Sequence, residues 1–469
     1  MVAPDRRQEA QMTDYEDTPR PDKASMTPEL LEAIFAALDS DDAAQVAILL
    51  EPLHAADIAD LLEQVSPSRR REILELYSGE IDGDILSELD ESIREEVVEA
   101  LSPEVLAEAV RELDSDDVVD LLEDLDESVH ERVLDALEDE DRAVVEQSLA
   151  YPEYSAGRLM QREVVTAAEH WTVGDAIDFL RSEEWLPDQF YHVILVDPRM
   201  KPLANVTLGR ILSSRRDKLL REISEEEFRT IKATDSETDV AYMFNQYHLI
   251  STPVVDDAGR LVGVITIDDA MSVLDEEHEE DMLRLAGVSD EASLADSVIE
   301  AAKGRAVWLF VNLLTAILAS LVIDLFADTI EQMVALAVLM PIVASMGGNA
   351  GTQTMTVAVR ALATRDLTAQ NAVRIVRREI AVGAINGMAF GFLMALVAGF
   401  WFGVPMLAVT IGMAMVMTLI AAAFGGIVIP MVLERFNIDP ALASGPFVTT
   451  VTDVVGFFAF LGLASVILL

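Results

Sequence analysis

IAVGAINGMAFGFLMALVAGFWFGVPMLAVTIGMAMVMTLIAAAFGGIVIPMVL, residues 380–433, contains no charged side chain. A helix needs about 20 apolar residues to cross the hydrocarbon core of a bilayer. The stretch therefore holds two passes, with a turn marked by Trp401, Gly403 and Pro405. Working outward, residues 332–359 are also uncharged, 306–327 carry only Asp324, and 440–469 carry only Asp453. Five spans follow, at 306–327, 333–358, 380–401, 407–432 and 442–468. Basic residues set their orientation. Lys303 and Arg305 precede the first span; Arg360, Arg365, Arg374, Arg377 and Arg378 lie between the second and third; Arg435 lies between the fourth and fifth. All fall on one side, which the rule makes the cytoplasm, and an odd number of passes leaves the C-terminus outside. Residues 1–20 lack the apolar core of a signal peptide, so residues 1–304 are expected to stay cytoplasmic.

The chain carries 83 acidic and 33 basic residues, a formal charge of −50. From Arg305 onward eight acids face seven bases, so −49 of that charge lies on residues 1–304. An acidic soluble body is thus joined to a nearly neutral membrane body. Such a charge repels nucleic acid and favours cations or basic partners. With no cysteine there is no thiolate nucleophile, disulfide or cysteine zinc site, and six scattered histidines argue against a histidine metal centre.

Two features of the membrane half look chemical. Asp453 falls about 18 Å into the last span at 1.5 Å per residue, near the bilayer centre. A carboxylate there is costly unless it meets water, an ion or a partner, so its default reading is functional. Thr449 and Gly445 precede it by one and two turns on the same face, and Pro446 tends to free the carbonyl of Leu442. The bland alternative is a protonated carboxyl bonded to a neighbouring helix. The second feature is the mid-span run from Pro341 through Gly347, Gly348, Asn349 and Gly351 to Gln353. Small residues let helices approach closely, and Asn and Gln bridge them. Irregular backbone lining a wet cavity is the other reading, since it is tolerated at that depth only there or inside protein.

Residues 1–26 read as a polar, disordered tail. From 27 to 150 short amphipathic runs alternate with acidic turns, as at Ser102-Pro103-Glu104, Leu113-Asp114-Ser115 and Leu125-Asp126-Glu127. Repeated helix pairs of this kind stack into an all-α superhelix. Residues 151–274 turn to a mixed pattern with two divergent copies. Strand Val164-Val165-Thr166, helix Val173–Ile177 and strand Tyr191–Val196 are echoed by Thr230–Ala233, Asp239–Phe244, Val254-Val255 and Leu261–Ile267. An acidic linker and a connecting, plug-like helix fill 275–304. A pore domain of five helices takes 305–469.

The tandem copies resemble a CBS-domain pair, an α/β module. Thr266-Ile267-Asp268-Asp269 is similar to that family's ribose-contacting Thr-x-x-Asp, while Thr207-Leu208-Gly209-Arg210 in the first copy departs from it. ATP binding through Thr266 and Asp269 is therefore set against a structural Thr with a helix-capping Asp. The whole order, together with Met340-Pro341, Gly347–Gln353 and Asp439-Pro440-Ala441 through Gly445-Pro446 to Asp453, resembles the MgtE family of magnesium channels. The resemblance implies a homodimer in the plasma (inner) membrane with its pore on the two-fold axis. Asp453 would be the carboxylate that selects hydrated Mg²⁺. Asp269, Glu277, Glu280 and Asp281 match regulatory cation-binding positions, as do Asp116 and Asp120 in the N-domain; Ser272 stands where some relatives have an acid. The expected function is Mg²⁺ import, shut when Mg²⁺ bridges the acidic cytoplasmic surfaces. An ion-coupled divalent-cation transporter and a membrane cation sensor are the alternative classes, and an enzyme is not expected.

Overall fold

The structure is a computed structural model that describes residues 26–77, 81–123, 125–183, 185–187, 189–225, 227–288 and 298–468. The expected tail lies outside them apart from Met26. The chain divides into two units, Met1–Leu274 and Asp275–Leu469.

The first unit begins as a run of short helices from Pro28–Asp39 to Asp139–Leu149. Their starts follow capping chemistry. Thr27 Oγ1 accepts from Leu30 N at 3.2 Å, Asp82 Oδ1 from Ile85 N at 3.0 Å, and Ser102 Oγ from Val105 N at 3.3 Å, the last with Pro103 in the first turn. Such caps satisfy amide groups that have no partner within the helix. One face of each helix feeds a shared core that includes Ile34, Leu62, Ile73, Leu86, Val97, Leu106, Val119 and Val133. Two arginines are buried beside that core. Arg70 donates to Leu62 O at 2.8 Å and pairs with Glu96; Arg94 donates to Leu89 O at 2.7 Å.

The rest of this unit is the CBS-like pair, an α/β region with two small mixed sheets. Strand β1 (Thr166–Ala168) pairs parallel with β2 (His192–Val196), which pairs antiparallel with β3 (Pro202–Thr207). Strand β4 (Ile231–Lys232), β5 (Ser251–Val255) and β6 (Leu261–Thr266) repeat the arrangement, with Ile231 opposite Val254. A helix, Val173–Ser182 or Glu237–Tyr247, crosses between the parallel strands of each copy. The expected first strand at 164–166 is found two residues later, because Thr166 is the residue that pairs with Ile194.

Helix Ile267–Leu285 leaves β6 and continues through the acidic residues 275–281, so that segment is helical rather than a linker loop. Of the linker and connecting helix expected at 275–304, residues 289–297 lie outside the described residues. Residues 298–304 belong to one helix, Val298–Asp324, continuous with the first span.

Among its described residues the second unit has five helices long and apolar enough to cross a membrane: Ala301–Asp324, Ala335–Ala363, Ala372–Phe402, Pro405–Arg435 and Pro440–Ile467. Gly403, at φ +66°, ends the third, and Pro405 opens the fourth. The third starts eight residues before its expected bound, taking Arg374, Arg377 and Arg378 into its first turns. Arginine has good helix propensity and a stem that reaches the interface, so charge there does not stop the helix. The third and fourth helices meet on small residues: a Cβ on Gly387 would lie 2.9 Å from Val416 Cα, and one on Gly391 2.6 Å from Gly412 O. Such close backbones are how membrane helices gain packing when lipid removes the hydrophobic drive.

Candidate functional site

The last helix opens with Asp439 as its cap, Oδ1 accepting from Ala441 N at 2.7 Å. Pro446 sits inside the helix, and Thr450 Oγ1 donates to the Pro446 carbonyl at 2.6 Å. Val448 and Thr452 are buried against the second helix, where a Cβ on Gly351 would come within 2.7 Å of Val448 Cγ1. Thr452 Oγ1 donates to Thr449 O at 2.9 Å, which uses up its donor locally.

Asp453 occupies the middle of this helix, half-buried, and among the described residues it makes no hydrogen bond or ion pair. The alternative of a carboxyl bonded to a neighbouring helix is thus not met within one protomer. Thr449 is exposed, and a Cβ on Gly445 would meet nothing within 4 Å. The three residues share a face that the described residues of the protomer cover only in part.

The Pro341–Gln353 run divides in two. Gly347 and Gly351 are buried and pack on Thr418, Thr452 and Val448. Pro341, Asn349 and Gln353 are exposed, Asn349 Nδ2 donates to Ser345 Oγ at 3.4 Å, and a Cβ on Gly348 would meet nothing within 4 Å. The irregular backbone considered from sequence is absent among the described residues, since helix Ala335–Ala363 runs straight through the motif. The second and last helices run antiparallel along the Gly347–Thr452 and Gly351–Val448 seam. One residue further along an α-helix turns the side chain by about 100°. For antiparallel partners that step turns both faces to the same side. Gly348 and Thr352 therefore look out beside Thr449 and Asp453, an open polar groove. Thr352 was not singled out in the sequence, where its spacing from Gly348 is the available signal.

In the first unit helix Ser115–Glu123 brings acids together with the CBS-like pair. Ser115 Oγ donates to Glu163 at 2.9 Å, and Gln161 Nε2 donates to Asp114 at 3.4 Å. Burial, then the neighbouring Asp269, Asp117, Asp114 and Glu163, hold the Asp116 carboxyl well above the usual aspartate range. Burial and the nearby Asp269 and Asp114 push Asp117 up to about 7, and burial pushes Asp269 up to about 6 against bonds from Thr266. Asp117, Asp114 and Glu163 were missed in the sequence; only folding brings them to Asp269. Asp120 lies at the edge of this group, near enough to help raise Asp117. It is 58% exposed and pairs with Arg94 at 2.8 Å, so this acid already has a cation. Thr266 Oγ1 donates to Asp269 at 2.6 Å and also reaches Asp268, the geometry of a structural Thr with a capping Asp. In the first copy Thr207 accepts from Arg210 N at 3.3 Å, a helix cap as well.

In the second unit Glu280 pairs with Arg284 at 2.9 Å, and Arg284 pairs with Asp439 at 3.3 Å. Burial, then Asp439 and Glu277, raise the Asp281 carboxyl, with Arg284 opposing. Among the described residues no three His, Asp or Glu side chains close to the geometry that holds a metal directly. Crowded carboxylates with excess charge still fit a cation that keeps much of its water, as Mg²⁺ does when one or two carboxylates hold it.

Comparison with known proteins bears on these sites. Residues 340–463 match the model of the MgtE divalent cation transporter family, residues 53–154 the MgtE intracellular N domain, and residues 220–276 the CBS domain. The magnesium transporter MgtE of Thermus thermophilus is 32% identical over 329 residues, 70% of this chain and 73% of the relative. That of Enterococcus faecalis is 30% identical over 326 residues, 70% and 72% of the two chains. A crystal structure of the cytosolic domain of the Mg²⁺ channel MgtE in complex with ATP shares 28% identity at a TM-score of 0.48. It covers 52% of this chain and 99% of that one. On the two full-length relatives, the chain belongs to the MgtE family of magnesium transporters and is a transport protein, not an enzyme.

Proposed function

We propose that two copies of the chain form a Mg²⁺-selective channel that imports magnesium across the plasma membrane, with the groove beside Asp453 as the conduction path. The observation that carries this reading is a mid-span carboxylate with no partner among the described residues of its own protomer, on a face flanked by Thr449, Gly445, Gly348 and Thr352. Mg²⁺ dehydrates reluctantly and prefers oxygen ligands. Two Asp453 carboxylates across a two-fold axis would hold its hydrated ion through water, discriminating by charge and shell size without stripping the shell. Asp324, Asp328 and Glu331 at the outer end of the spans would enrich cations at the entrance.

The arginines between the spans support placing residues 1–304 in the cytoplasm and the C-terminus outside. Gating follows from the acid clusters. At low Mg²⁺ the crowded groups around Asp116, Asp117 and Asp269, and around Glu277, Glu280, Asp281 and Asp439, repel. Bound Mg²⁺ relieves that repulsion and shifts the population to the closed state. ATP, present in the crystallised relative, would have to take Thr266 and Asp269 from each other to bind at that pair.

The test is growth rescue of a Mg²⁺-requiring strain by the wild type and by Asp453→Ala at matched membrane expression. Rescue by the wild type alone supports the reading, and rescue by both removes Asp453 from the path. Single-channel currents above carrier turnover rates separate a channel from a coupled transporter.

A further inference from the structure

We propose that the outer face of the third span is a binding site for an anionic phospholipid, its phosphate held by Arg374, Arg377 and Arg378 and its acyl chain laid along the helix below them. The three arginines fall in the first two turns of helix Ala372–Phe402, at spacings of three and four residues that place them on one side. The first turn contains no acid. Cations at that end of a helix are repelled by its partial positive charge, so the arrangement is electrostatically unfavourable by itself.

Nor do the described residues supply a close counter-charge. Among the described residues Arg374 and Arg377 have no ion-pair partner. Arg378, with 74% of its side chain exposed, comes only within 4.0 Å of Glu379, whose own side chain is 10% exposed and turned inward. In the acidic body Arg69, Arg70, Arg94, Arg142, Arg158, Arg216 and Arg260 pair with carboxylates, while Arg132, Arg210 and Arg229 use carbonyl groups or an aromatic ring. With 83 acids in the chain, three adjacent arginines left without a close carboxylate mark a place where the anion comes from outside.

The side chains that follow identify the anion as a lipid. Val382, Ile385, Met388 and Phe392 continue from Arg378 at three- and four-residue steps, and all are exposed. From Arg378 to Met388 the helix rises about 15 Å, the depth of one leaflet of the hydrocarbon core. A cationic head above an apolar stripe of that length matches one phospholipid, and guanidinium is the side chain best shaped to hold a phosphate through paired hydrogen bonds. A second copy of the chain fits the face less well. Both copies cross the membrane in the same sense, so a symmetric contact would set arginine against arginine.

The experiment uses the full chain in neutral detergent and follows thermal denaturation as phosphatidylglycerol, phosphatidylcholine or glycerol 3-phosphate is added. Phosphatidylglycerol is expected to raise the melting temperature more than the other two. Its apparent affinity should fall about fivefold for each arginine replaced in the series R374Q, R377Q and R378Q. Equal shifts with phosphatidylcholine would remove the headgroup from the proposal, and equal shifts with glycerol 3-phosphate would make the site one for free anions. An undiminished response in the triple variant would place the lipid elsewhere. Should that variant not fold, an Ile385→Trp probe in the otherwise native chain decides. Brominated phosphatidylglycerol must quench it more strongly than brominated phosphatidylcholine. Equal quenching, or none because a second copy covers the face, overturns the proposal.

Discussion

Arg284 joins two helices: its Nη1 lies 3.3 Å from Asp439 Oδ2, so the end of helix Ile267–Leu285 is tied to the cap of the last span. The same guanidinium holds Glu280 at 2.9 Å. It is a resident cation among Glu277, Glu280, Asp281 and Asp439. Arg284→Gln is expected to cost about 1 kcal/mol or less of stability, because the groups are partly exposed. On the proposed gating it should lower the Mg²⁺ concentration that half-inhibits transport, since the cluster left behind is more negative. Mg²⁺ titration of currents from the two proteins measures this, and an unchanged midpoint would separate the cluster from gating.

Asp453→Asn is expected to abolish Mg²⁺ uptake while changing the melting temperature little. Among the described residues Asp453 has no partner in its protomer, so the substitution breaks no bond there, and unconstrained positions usually shift stability by less than about 0.5 kcal/mol. Uptake into vesicles and thermal melting, measured on one preparation, distinguish a conduction role from loss of the fold.

Two glycines should respond oppositely to alanine. A Cβ on Gly426 would lie 2.7 Å from Gly351 O, a backbone atom that cannot rotate away. Gly426→Ala is expected to destabilise the membrane unit by about 1–3 kcal/mol, the usual cost of overpacking. Gly348→Ala meets no neighbour within 4 Å and gains helix propensity inside helix Ala335–Ala363, so it should raise the melting temperature slightly. The pair of melts tests whether the seam or the groove has been assigned to the wrong side.

The acids at helix Ser115–Glu123 give a pH dependence of defined sign. Asp117 rises from the ordinary 3.8 to about 7 and Asp269 to about 6. A carboxyl whose pKa folding raises binds its proton more tightly when folded. Its contribution is complete below the unfolded value, fades as pH rises, and is gone above about pH 7. Amide exchange of this helix in the full chain, corrected for intrinsic rates, should show more protection at pH 5 than at pH 8. Asp117→Asn should narrow the difference, and Mg²⁺ added at pH 8 should restore protection.

The parts of the fold that sequence conveyed were those with short-range causes. Ser102-Pro103 caps a helix because both partners lie within one turn, and the spans show in the spacing of charges because lipid forbids charge over about 20 residues. What escaped had long-range causes. Asp120 looked like a free candidate ligand, but Arg94, 26 residues away, folds onto it. Asp114 and Asp117 read only as part of a helix start, and Glu163 carried no signal, until folding set them with Asp269. One local feature also went unread: the helix of the third span begins before its uncharged stretch, with Arg374, Arg377 and Arg378 in its first turns, where helix propensity carries the chain through them.

Gly348 and Gly445 each look onto a space wide enough for a side chain, in a protein without a single cysteine. A thiol placed at either position would be the sole one in the molecule, needing no prior removal of others. Charged sulfhydryl reagents applied from each side of a sealed vesicle would then chart, turn by turn, where bulk solvent reaches the interior of the membrane.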